Sequence, residues 1–336
     1  MVWLKFAACL AIILFSGASL ARYGDAIAEK TGLGRMWVGL ILLAAITSMP
    51  ELVTGVSAAA LVKLPDLAVG NLLGSCLFNL TILALLDIMS RPRPILSRAS
   101  SRHMVSVVFG IVLAGVVVGG IWGGTRFPGL TTGLVSAPSV LPLALYVVGV
   151  WCIFRWERSR QAPQPEAGAA QYQDLSLKTT YLRFGLATAA VIGAGIWLSL
   201  VGNEIVATYG WDASFVGSLF VAITTSLPEL TVCVAALRLG AVDMAVADIL
   251  GSNMFNLALI TPVDLAFREG PVFSSVSGAH LMTAVLIMVM SLIVISGLRL
   301  RRERQTFRFI SWQSVALVGL YIFGMRYLFL AGVVLG

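Results

Sequence analysis

The chain has 336 residues, of which 58% are apolar and only 12% charged. Soluble domains carry about 25% charged residues, so this composition excludes an ordinary soluble protein and points to a membrane-embedded one. The net charge of +7 could suit an acidic partner such as nucleic acid, but its placement along the chain gives it another use.

Apolar stretches of about 18 residues or more can cross a bilayer as helices. The first, 2–21, also resembles a secretory signal, because Lys5 precedes an apolar core and GASLA at 17–21 ends in small residues. It is read as a membrane span, since its removal would leave nine spans and unbalance the two halves described below. Further spans are expected at 36–62, 66–90, 104–123 and 136–155, with a short basic loop, RPRPILSRASSR, lying on the surface at 91–102. A polar linker rich in Pro, Gln, Ala and Glu follows at 156–178 and reads as a flexible connector. Spans at 180–202, 213–238, 243–266, 276–298 and 310–332 complete a set of ten, and RRER at 301–304 reads as a solvated membrane flank.

Charge orients this set. The loops at 22–35, 91–102, 155–183, 238 and 299–308 hold 18 Lys and Arg, whereas the alternate loops hold only Lys63, Arg126 and Arg268. Basic loops face the cytoplasm, so both termini are expected outside and the linker inside. With five spans on each side of the linker, the second half then runs opposite to the first. The expected fold is an all-α integral membrane protein of ten transmembrane helices, built as two inverted five-helix repeats, 1–155 and 179–336, joined by the linker at 156–178. The basic charge needs no nucleic-acid partner. The lipid bilayer is the partner it implies.

The halves share sequence as well as topology. ITSMPELVTGVSAAA…VGNLLGSCLFN at 46–79 returns as ITTSLPELTVCVAAL…VADILGSNMFN at 223–256, an offset of 177–178 residues. Each copy sets a glutamate, Glu51 or Glu229, directly after a proline inside a long apolar run. A charge at membrane depth costs roughly 2.5–3.5 kcal/mol on insertion scales, and such residues mark ion or proton pathways.

In span 2, Thr47, Ser48 and Glu51 fall on one helical face, and Pro50 crowds the carbonyl of Ile46, so the helix must kink or open there. Span 7 repeats the set as Thr225, Ser226, Pro228 and Glu229. Spans 3 and 8 carry polar stripes at i, i+4 and i+8, namely Asn71, Ser75, Asn79 and Asp248, Ser252, Asn256. Gly70, Gly74 and Gly251 allow close helix approach. Lone residues of this kind often only glue helices together, but two matched stripes behind two Pro-Glu helices read as a site. Carboxylates and hydroxyls suit hard cations such as Ca²⁺ and Na⁺. Two glutamates would balance one Ca²⁺ or two Na⁺, which makes the loads mutually exclusive and the protein an exchanger.

Other residues carry less. Cys9, Cys76, Cys152 and Cys233 sit singly and read as inert buried thiols, with no disulfide or zinc site. His103 and His280 stand at span starts and read as interface residues. Asp87 and Asp264 match across the repeat but lie at span ends, where solvation is expected. No catalytic group and no cofactor is expected.

The duplicated TSMPE and TSLPE segments, with LLGSCLFN and ILGSNMFN behind them, resemble the α-repeats of the cation/Ca²⁺ exchanger superfamily, and most closely its prokaryotic Na⁺/Ca²⁺ exchanger branch. The resemblant motifs cover 44–80 and 222–257. They imply that Glu51 and Glu229 coordinate the ion with Thr47, Ser48, Thr225, Ser226, Ser75 and Ser252. They further imply that Asn79 and Asn256 occupy the carboxamide or carboxylate positions, that backbone carbonyls near Ala44 and Ala222 bind Na⁺, and that spans 1 and 6 slide as a pair.

Three departures stand out. Cys76 replaces the asparagine of GSN, Asn256 stands where some Na⁺- or K⁺-coupled members carry aspartate, and Asp248 replaces the equivalent of Asn71. Asp248 either bonds a neighbouring helix or serves as a further cation ligand or proton acceptor. The expected activity is a secondary antiporter of the cytoplasmic membrane of a bacterium or archaeon, exchanging Ca²⁺ for Na⁺. The alternatives are H⁺-coupled divalent exchange through Asp248 and, more remotely, a passive channel, a non-transporting scaffold or an intramembrane hydrolase. The GNAxE-like acidic motif of the H⁺-coupled branch is missing from the sequence.

Overall fold

The computed structural model describes residues 2–126, 137–160, 172, 174–209, 222–301, 306–307 and 309–335. Among them every regular element is helical, and nine helices are long and apolar enough to cross a membrane. In chain order the elements are α1 (Val2–Thr31), α2 (Arg35–Val62), α3 (Pro65–Met89), α4 (His103–Arg126), α5 (Ala137–Arg160), α6 (Leu177–Tyr209), α7 (Leu227–Arg238), α8 (Val242–Ala266), α9 (Ala279–Leu300) and α10 (Trp312–Leu335). The span expected at 213–238 falls partly outside the described residues. Its described portion is α7, preceded by a helical turn at 222–225.

Burial ranks the helices. The most apolar window of α8 is 94% buried and that of α3 is 72% buried, whereas those of α1, α5 and α10 are less than one-third buried. The polar stripes therefore lie on the two most enclosed helices. The peripheral helices present large apolar side chains such as Leu4, Phe15, Leu182 and Ile322 outward, as lipid contact requires.

Two helices approach almost backbone to backbone. A Cβ added at Gly251 of α8 would sit 2.2 Å from the Leu40 carbonyl oxygen, and one at Gly39 of α2 would sit 2.4 Å from that of Met244. Only glycine fits either position. The facing part of α2, Val38–Leu43, is a π-helical turn, a wide local winding often found at functional sites.

Asp87 and Asp264 are fully buried, not solvated as their place at span ends suggested. Each carboxylate caps the chain reversal that follows it. Asp87 accepts from the Ile95 N–H at 2.9 Å, the Ser311 N–H at 2.8 Å and the Ser314 hydroxyl at 3.0 Å. Asp264 accepts from the Val272 N–H at 2.6 Å and from the Ser139 hydroxyl. Backbone N–H groups at the buried ends of these reversals need acceptors, and the span-end carboxylate supplies them. For the same reason the loop at 91–102 is not simply surface-lying: Ile95 and Leu96 are buried in the core.

Both histidines tie one half of the chain to the other. His103 Nε2 lies 2.9 Å from Asp243 Oδ1, which also accepts from the Ser100 N–H at 2.6 Å. The equivalent set, His280, Asp66 and Ser277, has distances of 3.1 and 2.6 Å.

Candidate functional site

Both Pro-Glu helices break at the serine two residues before the proline. Ser48 has φ −88° and ψ 10°, and Ser226 has φ −88° and ψ 8°. Helix resumes at once, with Pro50 and Pro228 in its first turn, where a missing N–H costs nothing. Glu51 and Glu229 also fall in that first turn, where the positive end of the helix dipole favours a carboxylate. Two identical breaks thus carry the two glutamates into the interior.

The halves exchange partners there. Ser48 Oγ donates to Glu229 Oε1 at 2.9 Å, and Ser226 Oγ donates to Glu51 Oε1 at 3.2 Å. Ser75 of α3 adds a second donor to Glu51 Oε1 at 3.3 Å. Ser75 also meets Thr225 at 3.4 Å, as its counterpart Ser252 meets Thr47 at 3.5 Å. Thr47, Ser48, Glu51, Ser75, Asn79, Thr225, Ser226, Glu229, Ser252 and Asn256 are all fully buried.

Several oxygens and amides in this cluster have no protein partner. Glu51 Oε2, Glu229 Oε2 and both amide atoms of Asn79 and of Asn256 are buried without a hydrogen bond. Leaving a buried polar atom unpaired costs about 1–3 kcal/mol, and more for a charged one, so such a concentration of acceptors and amides is fitted to hold a polar or charged ligand. The carbonyls named by resemblance lie at the same depth. Ala44 O faces the Thr47 hydroxyl at 3.4 Å, and Ala222 O accepts from Thr225 Oγ1 at 3.2 Å. Each carbonyl also accepts a backbone N–H, from Ser48 and Ser226 respectively, at 3.1 Å, so an ion would take its second lone pair in competition with the threonine hydroxyl. The set offers two carboxylates, hydroxyls, carboxamides and carbonyls, which is hard-oxygen chemistry.

The extra acid and its counterpart do not behave alike. Asn71 accepts from Thr225 Oγ1 at 3.4 Å and so borders the cluster. Asp248 instead accepts from Cys233 Sγ at 3.2 Å, and its Oδ1 is buried with no partner. Cys233 is one turn beyond Glu229, where the first half has Gly55. Sequence reading missed Cys233 as the partner of Asp248. The signal was the paired departure of two equivalent positions in one half. It also missed that Cys76 and Asn253, equivalent positions themselves, touch one another: Asn253 Nδ2 donates to the Cys76 carbonyl at 3.2 Å.

Comparison with known proteins gives a consistent result. The family described as "Sodium/calcium exchanger protein" matches residues 1–155 and 179–330. The inner membrane protein YrbG of Escherichia coli is 25% identical over 271 residues, covering 78% of this chain and 79% of that protein. The sodium/calcium exchanger MaX1 of Methanosarcina acetivorans is 24% identical over 343 residues, covering 93% and 94% respectively. In structure, the chain is similar to the sodium–calcium exchanger NCX_Mj soaked with Na⁺ and Sr²⁺, with a TM-score of 0.71, 19% identity, and coverage of 97% of this chain and 99% of that one. At that identity the structural likeness speaks for the fold.

Proposed function

The chain belongs to the sodium/calcium exchanger protein family, and from that premise we propose that it is a secondary antiporter exchanging Ca²⁺ for Na⁺ by alternating access. The reading is carried by one observation. Ser48–Glu229 and Ser226–Glu51 join the two halves at a buried point where the second oxygen of each glutamate is left unpaired. In this reading Glu51 and Glu229 bind the divalent ion, and Thr47, Ser48, Ser75, Asn79, Thr225, Ser226, Ser252 and Asn256 supply neutral oxygens, with the Ala44 and Ala222 carbonyls serving Na⁺. Two carboxylates are balanced by one Ca²⁺ or by two Na⁺, so each load displaces the other. The halves 1–155 and 179–336 act as inverted repeats, with the linker at 156–178 and the basic loops in the cytoplasm and both termini outside.

A second reading has its own observation. Asp248 carries an unpaired buried oxygen on the same stripe as Ser252 and Asn256, a position from which it could accept a proton in an H⁺-coupled cycle. Uptake of ⁴⁵Ca²⁺ into proteoliposomes separates the two. Uptake that requires internal Na⁺ supports the first reading, and uptake driven by a pH gradient alone replaces it with the second.

A further inference from the structure

The helices α1 and α6 lie side by side, and their two ends are held very differently. Toward the start of α1, Val2, Cys9 and Ile13 pack with Ala194, Leu198 and Val201 in an apolar cluster separate from the main core. An exposed ion pair, Lys5 to Glu204 at 2.8 Å, joins the same ends. At the opposite end, Leu20, Tyr23 and Ile27 of α1 and Phe184, Ala187 and Val191 of α6 belong to the main core. At one end the pair thus packs mainly on itself, with Leu227 of α7 against the cluster, and at the other it joins the main core.

Between its ends the pair crosses the glutamate-bearing helices on glycines. A Cβ at Gly195 would fall 2.4 Å from Pro50 Cγ, and one at Gly17 would fall 2.7 Å from Thr231 Cγ2. The Pro50 ring and the Thr231 side chain therefore seat directly against the backbone of the pair, close to Glu51 and Glu229.

The end that joins the main core carries a buried polar knot. Asp25 of α1 is fully buried and takes the Arg35 guanidinium of α2 on both oxygens, Nη2 at 3.1 Å from Oδ2. Tyr172, buried although it lies in the connector between the halves, donates its hydroxyl to Asp25 Oδ2 at 3.1 Å and its N–H to Glu29 Oε1 at 3.3 Å. Arg183 of α6 donates to Tyr23 Oη at 3.1 Å. Burial and the Asp25 charge push the Tyr172 hydroxyl up to about 12, so it stays a donor at any physiological pH. Asp25 is fully buried while Arg35 is partly exposed, so the carboxylate's desolvation cost offsets much of the attraction, and the best-attested use of such a pair is to select one arrangement over another. This one joins α1, α2 and the connector, so it crosses from the α1–α6 pair to the helix that bears Glu51.

We propose that Asp25, Arg35 and Tyr172 form a latch that holds the connector-side end of the α1–α6 pair against α2 and favours the arrangement in which the site is shut from that side. The proposal rests on reading the buried cluster as a transport site. A state-selecting contact shifts populations, so its loss changes apparent affinity in opposite senses on the two sides of the membrane.

The test uses Tyr172→Phe, which removes one hydroxyl, and Asp25→Asn, in full-length protein in proteoliposomes of known sidedness. The ratio of apparent Ca²⁺ affinity on the connector side to that on the opposite side should rise about fivefold or more. Exchanging the charges, Asp25→Arg with Arg35→Asp, should bring it back toward wild type. An unchanged ratio, or equal weakening on both sides, would overturn the latch. An ion-free measurement stands beside it. Backbone amides at 23–31 and 35–47 should exchange hydrogen faster in Tyr172→Phe at an unchanged melting temperature. Unaltered exchange there would overturn the latch as well. A wild type that transports no Ca²⁺ sinks the proposed function, while the exchange experiment still decides the latch.

Discussion

Ser48 in the first half of the chain donates to Glu229 in the second at 2.9 Å, and the equivalent Ser226 returns the bond to Glu51 at 3.2 Å. Each half therefore supplies a donor to the other half's carboxylate, with Ser75 adding one to Glu51 from its own half, and the proposed site draws on both halves. A hydrogen bond to a buried charged group contributes about 1.5–3 kcal/mol, so Ser48→Ala or Ser226→Ala should weaken Ca²⁺ binding roughly 10- to 100-fold. Concentration dependence of ⁴⁵Ca²⁺ uptake measures this. Loss of folded protein from the membrane, with no affinity change in what remains, would mean that the serines serve the fold instead.

Asn79 and Asn256 are buried amides without a protein partner. Replacing either by Ala breaks no hydrogen bond within the protein, so the melting temperature without divalent ions should stay close to wild type. The additional stabilisation that Ca²⁺ confers should shrink, because that stabilisation follows affinity for the native state. A variant that melts early without Ca²⁺ and keeps the full Ca²⁺ increment would speak against a ligand role.

Asp248 separates the two coupling readings. Under Na⁺ coupling, Asp248→Asn should leave Na⁺-driven Ca²⁺ uptake within about twofold of wild type, since the substitution is nearly isosteric and disturbs one weak thiol contact. A complete loss of uptake at every Na⁺ concentration would bring this aspartate into the transport cycle.

Asp87→Ala should damage folding rather than transport. It strips acceptors from the N–H groups of Ile95 and Ser311 and from the Ser314 hydroxyl, all buried, at a cost of several kcal/mol. Size-exclusion profiles in mild detergent should show little monodisperse protein. A well-folded variant would show that water reaches this turn.

Gly251→Ala should be similarly severe, because the added methyl meets the Leu40 carbonyl at 2.2 Å, in backbone that cannot give way. Gly278, with open space around it, is the control that tolerates alanine.

Much of this was legible in the sequence, and the reason is periodicity. Glu51 and Glu229, the serines before them and the stripes on α3 and α8 announce themselves because apolar helices make every polar residue conspicuous. The repeat then doubles each signal. Contacts that cross between distant segments were not legible. Nothing in the spacing of Asp87 tells whether a span-end carboxylate meets water or caps a buried turn at 95, and the structure shows the latter. Tyr172 looks like one more polar linker residue until its hydroxyl is found against Asp25. Cys233 reads as a small apolar residue on α7, and its tie to Asp248 depends on how α7 meets α8.

The most direct test of the account is ⁴⁵Ca²⁺ uptake into Na⁺-loaded proteoliposomes by Glu51→Gln and Glu229→Gln, each checked for a wild-type size-exclusion profile. One shared site built from both halves predicts that either change alone abolishes uptake while the protein remains folded. Uptake at the wild-type level in both variants would contradict it.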